Sequence, residues 1–402
     1  MTASLSPTRE VMSDEDLRTL REGVRDVCTR HAGPDEARRL LDGTPSAAPE
    51  PQLWNALVAE LGVGGLLVPE RFGGVDAGWT AMRVVLEELG RGLAATPFVP
   101  SSVLATTLLL ASGNDDACEA FLPGIAEGST VATVAVVEAA SGWDDWARAE
   151  APAESPGESP GESPGATAVT ATAGPTGWSL SGRKRAVPFG ATADLLLVTA
   201  VTSEGPGLFA VERGAAGAAA TALATLDGTR PVADLVLADT PAREIALGET
   251  VGAAVTQALD LGGLAIAAED VGAMRACLET SVEYAKLRTQ FDRPIGSFQA
   301  VKHKLADMLV RVELAESAVE EAALALDSNA EDASASAVVA HACAAESFRL
   351  VAAETIQTHG GIGFTWEHAA HLYFRRAKTS ALAFGGIARG RERLLARLGL
   401  GS

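Results

Sequence analysis

Cysteine is rare in this chain of 402 residues, and the few cysteines lie far apart. Cys28, Cys118, Cys277 and Cys343 form neither a CxxC pair nor a cysteine–histidine spacing. A disulfide framework or a zinc site needs residues grouped in such patterns. The sequence therefore indicates neither, and it predicts free buried thiols and no metal site.

Basic residues are also scarce relative to acidic ones. Lys and Arg total 32 against 52 Asp and Glu, which gives a formal net charge of −20. An excess of negative charge repels phosphate backbones and anionic lipid head groups. We therefore expect no nucleic-acid partner and no docking on an anionic membrane.

Long hydrophobic runs are missing from the pattern. No segment offers about 20 uninterrupted apolar residues of membrane-spanning character. The N-terminal segment MTASLSPTREVMSDEDLRTL also lacks the basic region followed by an apolar core that marks a secretory signal. A cytoplasmic location is the expectation.

Helical periodicity is present from the start of the chain. Ser13 is suited to cap a helix whose first turn carries Asp14, Glu15 and Asp16. Helical runs separated by Gly and Pro continue through residues 1–130, which we predict to be an N-terminal helical domain. A hydrophobic content of 47% in a chain of this length allows a large core divided among two or three domains.

β-Branched residues become frequent from Val131, and short strands follow. Residues 131–246 are therefore predicted to form a middle β domain, in which a Ser-Gly turn joins two strands between Gly177 and Ala200. Residues 149–173 contain the sequence ESPG three times in succession. A segment so rich in Pro, Gly and Ser has no face to bury, so it is predicted to be a disordered insert without a catalytic role.

Long Ala- and Leu-rich helices dominate residues 247–402. Their approximate ranges are 250–287, 300–328 and 333–358, followed by a final helix that runs through Leu398. Four antiparallel helices of this kind form a bundle. Helix faces that are apolar all round predict further burial in a homo- or hetero-oligomer, although alanine-rich helices also form readily without assembly.

The turn between the first two of these helices groups several hydrogen-bond donors. The segment YAKLRTQFDRPIGSFQAVKHKLADM reads as helix, polar turn and helix. Arg288 and Gln290 supply N–H donors beside the ring of Phe291, and Gln299 lies near the N-terminus of the second helix. These groups suit an anion attached to an aromatic ring system. Solvation is the commoner role of such residues.

Two segments resemble one known family. RTQFDRPIGSFQAVKHKLADM resembles the turn and the start of the fourth helix of acyl-CoA dehydrogenases, flavin enzymes that desaturate fatty acyl thioesters. QTHGGIGFTWEHAAHLYFRRAK, from Gln357 to Lys378, is similar to another flavin-contact segment of that family. The resemblance implies an α+β fold with an N-terminal helical domain, a small middle β domain and a C-terminal four-helix bundle.

The resemblance also implies FAD as the cofactor, an acyl-CoA as the substrate, and an electron-transfer flavoprotein or similar acceptor. In the family the flavin lies between the β domain and the bundle, and the turn of one subunit reaches the FAD of its neighbour. A glycine pair lets backbone N–H groups approach a diphosphate, although by itself such a pair more often ends a helix. The FAD-binding residues implied in this chain are Arg288, Gln290, Phe291, Gln299, Gln357, Gly360 and Gly361.

The β domain departs from the family pattern. Relatives carry a TEPGAGSD-like loop where this chain has VEAASGWDD, with Glu138, Ser141 and Gly142 as the matching residues. Relatives also place Trp-Ile-Thr or Trp-Ile-Ser against the flavin, where this chain has RAVPFG after the hairpin lysine. The contact would then fall to Val187, Pro188 or Phe189. These departures imply weaker FAD binding by this subunit alone.

Neither position at which family members carry the catalytic glutamate holds one here. Desaturation needs a base for a weakly acidic proton beside the thioester carbonyl, and a desolvated carboxylate suits that task. Counted from the RRAK segment, the first position is Phe384, and aligned back from Arg288 the second is Gly262. Glu269 lies about two helical turns further along roughly the same face and could substitute, but a capping or solvated role is at least as frequent. No catalytic residue is assigned.

In lacking glutamate at both positions, the chain resembles one subunit type of the actinobacterial acyl-CoA dehydrogenases of steroid side-chain breakdown. Those enzymes are α2β2 heterotetramers in which only the other subunit type carries the glutamate. The chain is accordingly predicted to be the subunit without the base, paired with a homologous dehydrogenase subunit. The alternative is the same fold repurposed in a biosynthetic pathway, as a monooxygenase-like or non-redox protein. His303, His359, His368 and His371 are left without a role, because lone helical histidines are more often packed or solvated than catalytic.

Overall fold

The structure is a computed structural model of the chain that describes residues 12–42, 51–138, 168–175, 177–397 and 400. The ESPG repeats and the predicted flavin-loop residues Ser141 and Gly142 lie outside these residues. The described part consists of N-terminal helices, a β-sheet domain and long C-terminal helices.

Short helices form the N-terminal part of the fold. Ser13 caps the first helix as predicted, because its Oγ accepts a hydrogen bond from the backbone N–H of Asp16 at 3.2 Å. Two segments, Ala56–Glu60 and Val99–Ala105, have the wider π-helical turn. The α-helices are α1 Asp14–His31, α2 Pro34–Asp42, α3 Pro51–Asn55, α4 Gly78–Arg91, α5 Thr106–Ala111 and α6 Asp115–Glu127.

Strands of the middle region form one sheet that closes on itself. Pairings run from β4 to β5, β7, β3 and β2 and back to β4, while β1 extends along β4 and β6 along β7. Most of these pairings are antiparallel, but β4 pairs in parallel with β1 and β2. The strands are β1 Ala132–Ala135, β2 Thr170–Gly174, β3 Gly177–Pro188, β4 Leu195–Thr202, β5 Gly205–Glu212, β6 Ala218–Ala222 and β7 Val232–Leu247.

The predicted Ser-Gly turn is wrong, because Ser181 and Gly182 lie inside the continuous strand β3. The pairing register between β3 and β7 shifts between Leu180 and Gly182. Gly182 has a φ of +142°, which L side chains rarely adopt, and a Cβ at this position would lie 2.8 Å from the Cα of Val169. The glycine therefore serves a β-bulge rather than a chain reversal.

The predicted insert 149–173 is also too long at its C-terminal end. Strand β2 begins at Thr170 and pairs with β3, with Thr170 opposite Ser181 and Ala173 opposite Trp178. A strand that forms a complete ladder with its neighbour is held by its backbone hydrogen bonds even when its side chains are small. The low-complexity composition of this segment hid that ladder.

The C-terminal helices are α7 Glu249–Leu287, α8 Gln299–Asp327, α9 Ala333–His359, α10 Ala370–Ser380 and α11 Gly386–Arg397. A small hairpin, β8 Thr289–Gln290 and β9 Arg293–Pro294, joins α7 to α8. The single final helix predicted from the sequence is wrong, since α10 and α11 are separated by a turn in which Phe384 has a φ of +51°. The α+β arrangement of helical domain, sheet domain and helical bundle is confirmed.

Helix α7 is the central helix of the bundle. Within the described residues it alone is long and apolar enough to cross a membrane, judged by length and composition. However, 78% of its apolar window is buried, and it packs against α4, α8 and α9. Burial on all sides is what a helix that is apolar all round requires.

A buried carboxylate joins the bundle to the N-terminal helices. Asp327, at the end of α8, accepts hydrogen bonds from the backbone N–H groups of Trp79 at 2.7 Å and Thr80 at 2.8 Å. It also accepts the hydroxyl of Thr80 at 2.6 Å. These are donors in the first turn of α4, so one side chain caps a helix that lies more than two hundred residues away in the sequence.

We expect Asp327→Ala to lower the free energy of unfolding by about 3 kcal/mol, because it leaves buried donors without an acceptor. Chemical denaturation monitored by circular dichroism measures this change. Asp332→Ala is the matched control, since Asp332 is exposed and caps no helix through its side chain. Equal losses in the two variants would contradict the capping role.

Candidate functional site

A cavity of about 330 Å³ lies where the N-terminal helices, the sheet and the bundle meet. Its walls come from the π-helical segment Val99–Ala105, the end of β3, the loop before β7, helix α7 and the turn after α10. Among the residues that line it are Leu104, Pro188, Phe189, Ile266, Glu269 and Phe384. This is the junction at which the family resemblance places a flavin and a reacting acyl group.

The two predicted base positions are neighbours, and one of them lines this cavity. Phe384 is 4% exposed and lines the cavity. A Cβ built on Gly262 of α7 would lie 3.1 Å from the ring atoms Cε2 and Cζ of Phe384, and 2.4 Å from Cδ2 of Leu104. Neither residue has a side chain that accepts a proton, and Leu104 and the ring of Phe384 crowd the space beside Gly262.

A cluster of buried charges lies about two helical turns along α7 from Gly262. The carboxylate of Glu269 accepts a short hydrogen bond from Arg230 and lies 3.6 Å from Nη1 of Arg376. Arg376 is 1% exposed and donates from Nε to Asp227 at 2.7 Å. Glu269 is therefore the counterion of two arginines, neither a solvated nor a capping carboxylate as the sequence suggested. A carboxylate engaged in this way is poorly placed to receive a substrate proton.

Asp270 is a second buried acid beside this cluster. Its Oδ1 accepts a hydrogen bond from Ser380 at 2.7 Å, and Ser380 in turn accepts one from Arg230 at 3.0 Å. Its Oδ2 has no hydrogen-bond partner within the described residues. Burial raises the pKa of Asp270 to about 7. The site thus combines an acid paired with two arginines and an acid whose charged form is disfavoured by burial.

The predicted cofactor residues of the α7–α8 turn face outward. Arg288, Gln290, Phe291 and Gln299 are all exposed, and the ring of Phe291 is exposed to 87%. Gln290 donates from Nε2 to the carbonyl of Thr289 at 2.8 Å. Arg288 has no ion-pair partner in the part of the chain that the structure describes. The hairpin therefore presents donors and an aromatic ring to whatever lies beside it.

The second predicted block, Gln357 with Gly360 and Gly361, lies at the end of α9. All three residues are exposed. Gly360 has a φ of +62°, and a Cβ built on either glycine would meet no atom within 4 Å. The backbone is therefore open to close approach by another molecule.

The bundle brings both blocks to the same end. The ring of Tyr284, near the end of α7, lies 4.5 Å from the ring of His359, near the end of α9. Lys304 of α8 donates to the Oε2 of Glu354 at 2.7 Å. None of the seven predicted cofactor residues lines the cavity, which is a separate feature of the same chain.

In the β domain, Glu138 is buried and pairs with the buried Lys184. Its Oε2 also accepts the backbone N–H of Val169 at 3.2 Å, and Nζ of Lys184 donates to the hydroxyl of Thr199 at 2.9 Å. Burial lowers the pKa of Lys184 to about 8. Glu138 is therefore a structural counterion that joins β3 to the segment that follows β1. Of the candidate flavin contacts on β3, Pro188 and Phe189 line the cavity and Val187 does not.

Three of the histidines left without a role lie close together. The ring centroids of His359 and His368 are 4.1 Å apart, and the ring of His371 meets Trp366 edge-on at 4.9 Å. Burial lowers the pKa of each of these three histidines. They are packed aromatic groups, and His303 is an exposed residue of α8.

Sequence reasoning did not identify Asp227, Arg230 and Arg376 as members of the site. The TLDGTRP element and the RRAK segment that contain them are visible in the sequence. Their shared role is not, because Asp227 and Arg376 are 149 positions apart and meet only in the folded chain. The sequence offered one indication of this cluster, namely charged residues within segments whose pattern predicts burial.

Comparison with known proteins agrees with the fold and the motifs. The models of the acyl-CoA dehydrogenase N-terminal and C-terminal domains match residues 14–129 and 252–399. The chain is 32% identical to acyl-CoA dehydrogenase IpdE2 of Mycolicibacterium smegmatis over 371 residues, which cover 92% of this chain and 95% of IpdE2. It is 33% identical to acyl-CoA dehydrogenase FadE27 of Mycobacterium tuberculosis over 392 residues, covering 92% and 93% of the two chains.

Solved structures give the same result. A variant of the steroid acyl-CoA dehydrogenase Tcur3481–Tcur3483 superimposes with a TM-score of 0.80 at 32% identity, covering 96% of this chain and 98% of that one. The ChsE4–ChsE5 complex from Mycobacterium tuberculosis gives a TM-score of 0.80 at 28% identity, with coverage of 98% and 100%. These likenesses span helical domains and sheet alike. The chain belongs to the acyl-CoA dehydrogenase family, a family of FAD-dependent oxidoreductases.

The exposed residues of this chain fit the chemistry of FAD. Guanidinium and amide N–H groups of Arg288, Gln290 and Gln357 match phosphate oxygens, and the ring of Phe291 matches a base. The open backbone at Gly360 and Gly361 allows a diphosphate to approach N–H groups closely. Because these groups lie on the surface and away from the cavity, they suit a cofactor shared with a neighbouring subunit.

We expect Glu269→Ala to lower the free energy of unfolding by about 3 kcal/mol, because the buried guanidinium of Arg376 and the partly buried one of Arg230 lose their shared counterion. Urea denaturation measures the loss. Glu279→Ala is the control, since Glu279 pairs with Arg91 at the surface with 52% of its side chain exposed, and such pairs contribute less than about 1 kcal/mol. Losses of equal size would show that the cluster contributes no more than a surface pair.

A pH dependence follows from Asp270. Its pKa is about 7 in the folded chain against an ordinary value of 3.8, so the folded state retains a proton that the unfolded chain releases. Stability from this group is complete at low pH and is lost as pH rises through about 7. We therefore expect Asp270→Asn to gain stability relative to the parent chain as pH rises from about 4 to about 7, measured by thermal unfolding. Asp115→Asn, at an exposed site, is the control, and a pH-independent difference for Asp270→Asn would contradict this assignment.

Proposed function

We propose that this chain is the subunit of a mixed acyl-CoA dehydrogenase assembly that lacks the catalytic glutamate. The assembly desaturates an acyl-CoA thioester between its α and β carbons, and FAD, when bound, supplies the hydride acceptor. This chain contributes Arg288, Gln290, Phe291, Gln299, Gln357, Gly360 and Gly361 to FAD sites shared with a homologous subunit. An electron-transfer flavoprotein or similar acceptor and a cytoplasmic location complete the proposal.

The observation that carries this proposal is the contact between Phe384 and Gly262. Phe384 lines the cavity and holds a ring where the resemblance places a glutamate, and Leu104 and that ring crowd the space beside Gly262. Glu269, the cavity-lining acid, is engaged by Arg230 and Arg376. An acyl-CoA dehydrogenase still needs a base, and the simplest source is a homologous subunit that retains the glutamate.

The nature of the relatives supports the same proposal. The solved steroid acyl-CoA dehydrogenase and the ChsE4–ChsE5 complex each combine two differently named chains. By analogy, the partner is a homologous dehydrogenase subunit, and the acyl group is attached to a steroid or a comparable lipid. Family membership alone does not identify the acyl group, so the steroid or comparable lipid is part of the proposal.

Surface side chains of the bundle support an assembly. Large apolar residues are exposed on the outer face of α8 and beside the glycine pair at the end of α9. Exposed apolar side chains that are grouped in this way mark surfaces that other chains cover. They are Leu309, Val310 and Leu314 on α8, and Ile362, Phe364 and Trp366 after α9.

The test is to purify the chain alone and together with a homologous subunit that carries the glutamate, and to record the flavin spectrum and native mass of each. We expect stoichiometric flavin and acyl-CoA oxidation only in the mixed assembly. A yellow, active preparation of this chain alone would contradict the proposal. A yellow preparation without dehydrogenase activity would favour the repurposed fold instead.

Within the mixed assembly, Arg288→Gln should weaken FAD binding by roughly tenfold, because one charge-assisted hydrogen bond to an anion is lost. Flavin release during dilution, followed by fluorescence, measures the change. Arg71→Gln is the matched control, since Arg71 forms an exposed ion pair with Asp115 in the N-terminal domain. Equal flavin retention in both variants would exclude Arg288 from the cofactor site.

A further inference from the structure

Phe384 closes one side of the cavity with its ring. The ring packs over Gly262 of α7, and Leu104 approaches the same glycine from the π-helical segment. Phe384 and Leu104 both line the cavity, together with Ile266 of α7. Because Gly262 has no side chain, the space beneath the ring is bounded by the backbone of α7. Removing the ring would therefore extend the cavity toward that backbone.

The backbone that carries Phe384 adopts a conformation that bulky residues rarely adopt. Its φ and ψ angles are 51° and 39°, in the left-handed region. The next two residues, Gly385 and Gly386, also have positive φ angles, of 90° and 73°. Arg393 donates from Nη1 to the carbonyl of Phe384 at 3.5 Å. A strained residue persists only where its surroundings determine its position, so the ring is held in the cavity wall by the turn.

We propose that Phe384 is the specificity-determining residue that sets how far an acyl group enters the cavity of this chain. The inference rests on the proposed function, which supplies acyl-CoA as the ligand class. The walls beside the ring are apolar, formed by Val99, Leu104, Ile266 and Leu382, and they suit a hydrocarbon. The charged residues Arg230 and Glu269 line the cavity as well, on the side of the loop before β7.

The test compares binding of a series of saturated straight-chain acyl-CoA thioesters to the full chain, in the assembly in which it is isolated. Isothermal titration calorimetry gives the affinity for each chain length. For the parent chain we expect affinity to rise with length and then stop rising when the acyl group meets the ring. For Phe384→Ala the rise should continue to longer chains, by about fourfold for each added methylene that becomes buried.

Two further variants keep the test decisive. Phe384→Leu preserves an apolar side chain and should extend the length limit by less than Phe384→Ala, which covers the case in which the alanine variant fails to fold. Phe209→Leu is the control, because Phe209 is fully buried in the β domain and does not line the cavity. It should leave the length limit unchanged.

An unchanged length limit in both Phe384 variants, or no acyl-CoA binding that responds to position 384, would overturn the inference. If the mixed assembly nevertheless holds flavin and oxidises acyl-CoA, the proposed function stands and only the role of Phe384 fails. If no mixed assembly forms but the length limit moves, the role of Phe384 stands and the subunit proposal fails.

Discussion

The guanidinium group of Arg376 is the point at which the parts of this protein are joined. It is almost completely buried, and it donates hydrogen bonds to Asp227 and Thr229 of the loop before β7 and to the carbonyl of Ala94 in the N-terminal domain. Glu269 of α7 lies beside it. A buried cation without partners is costly by several kcal/mol, so these segments must meet for the chain to fold.

This requirement also decides the chemistry of the cavity. The acid that lines it, Glu269, neutralises Arg230 and Arg376. At the two family positions for a base, the ring of Phe384 packs beside Gly262. Among the described residues that line the cavity, Glu269 is the one carboxylate, and these arginines engage it. The family fold is retained, and under the proposed function a second subunit supplies the base.

The residues that suit a cofactor lie on the exposed surface, in contrast to the buried residues of the cavity wall. The α7–α8 hairpin and the glycine pair after α9 are exposed and meet at one end of the bundle, where Tyr284 contacts His359. Within one chain they reach neither the cavity nor each other's functional groups by any contact that the described residues show. Under the proposed function a homologous subunit covers that end, and FAD binding then depends on assembly.

The amino-acid sequence by itself determined the fold class, the family and the long helices α7, α8 and α9. Periodic burial, helix breakers and contiguous motifs are local properties, and each is readable along the chain. The Ser181–Gly182 bulge and the strand that begins at Thr170 were misread, because strand pairing depends on partners elsewhere in the chain.

Only the tertiary structure decided the role of Glu269. On the helix it is one acidic residue among many, whereas in the fold it receives Arg230 from the β domain and Arg376 from α10. Phe384 and Gly262 are a second example. In the sequence they are two separate positions without a glutamate, whereas in the structure the ring of Phe384 packs beside Gly262. Charge pairing and packing between segments far apart in the sequence depend on where the chain places them in space, and no local pattern records that placement.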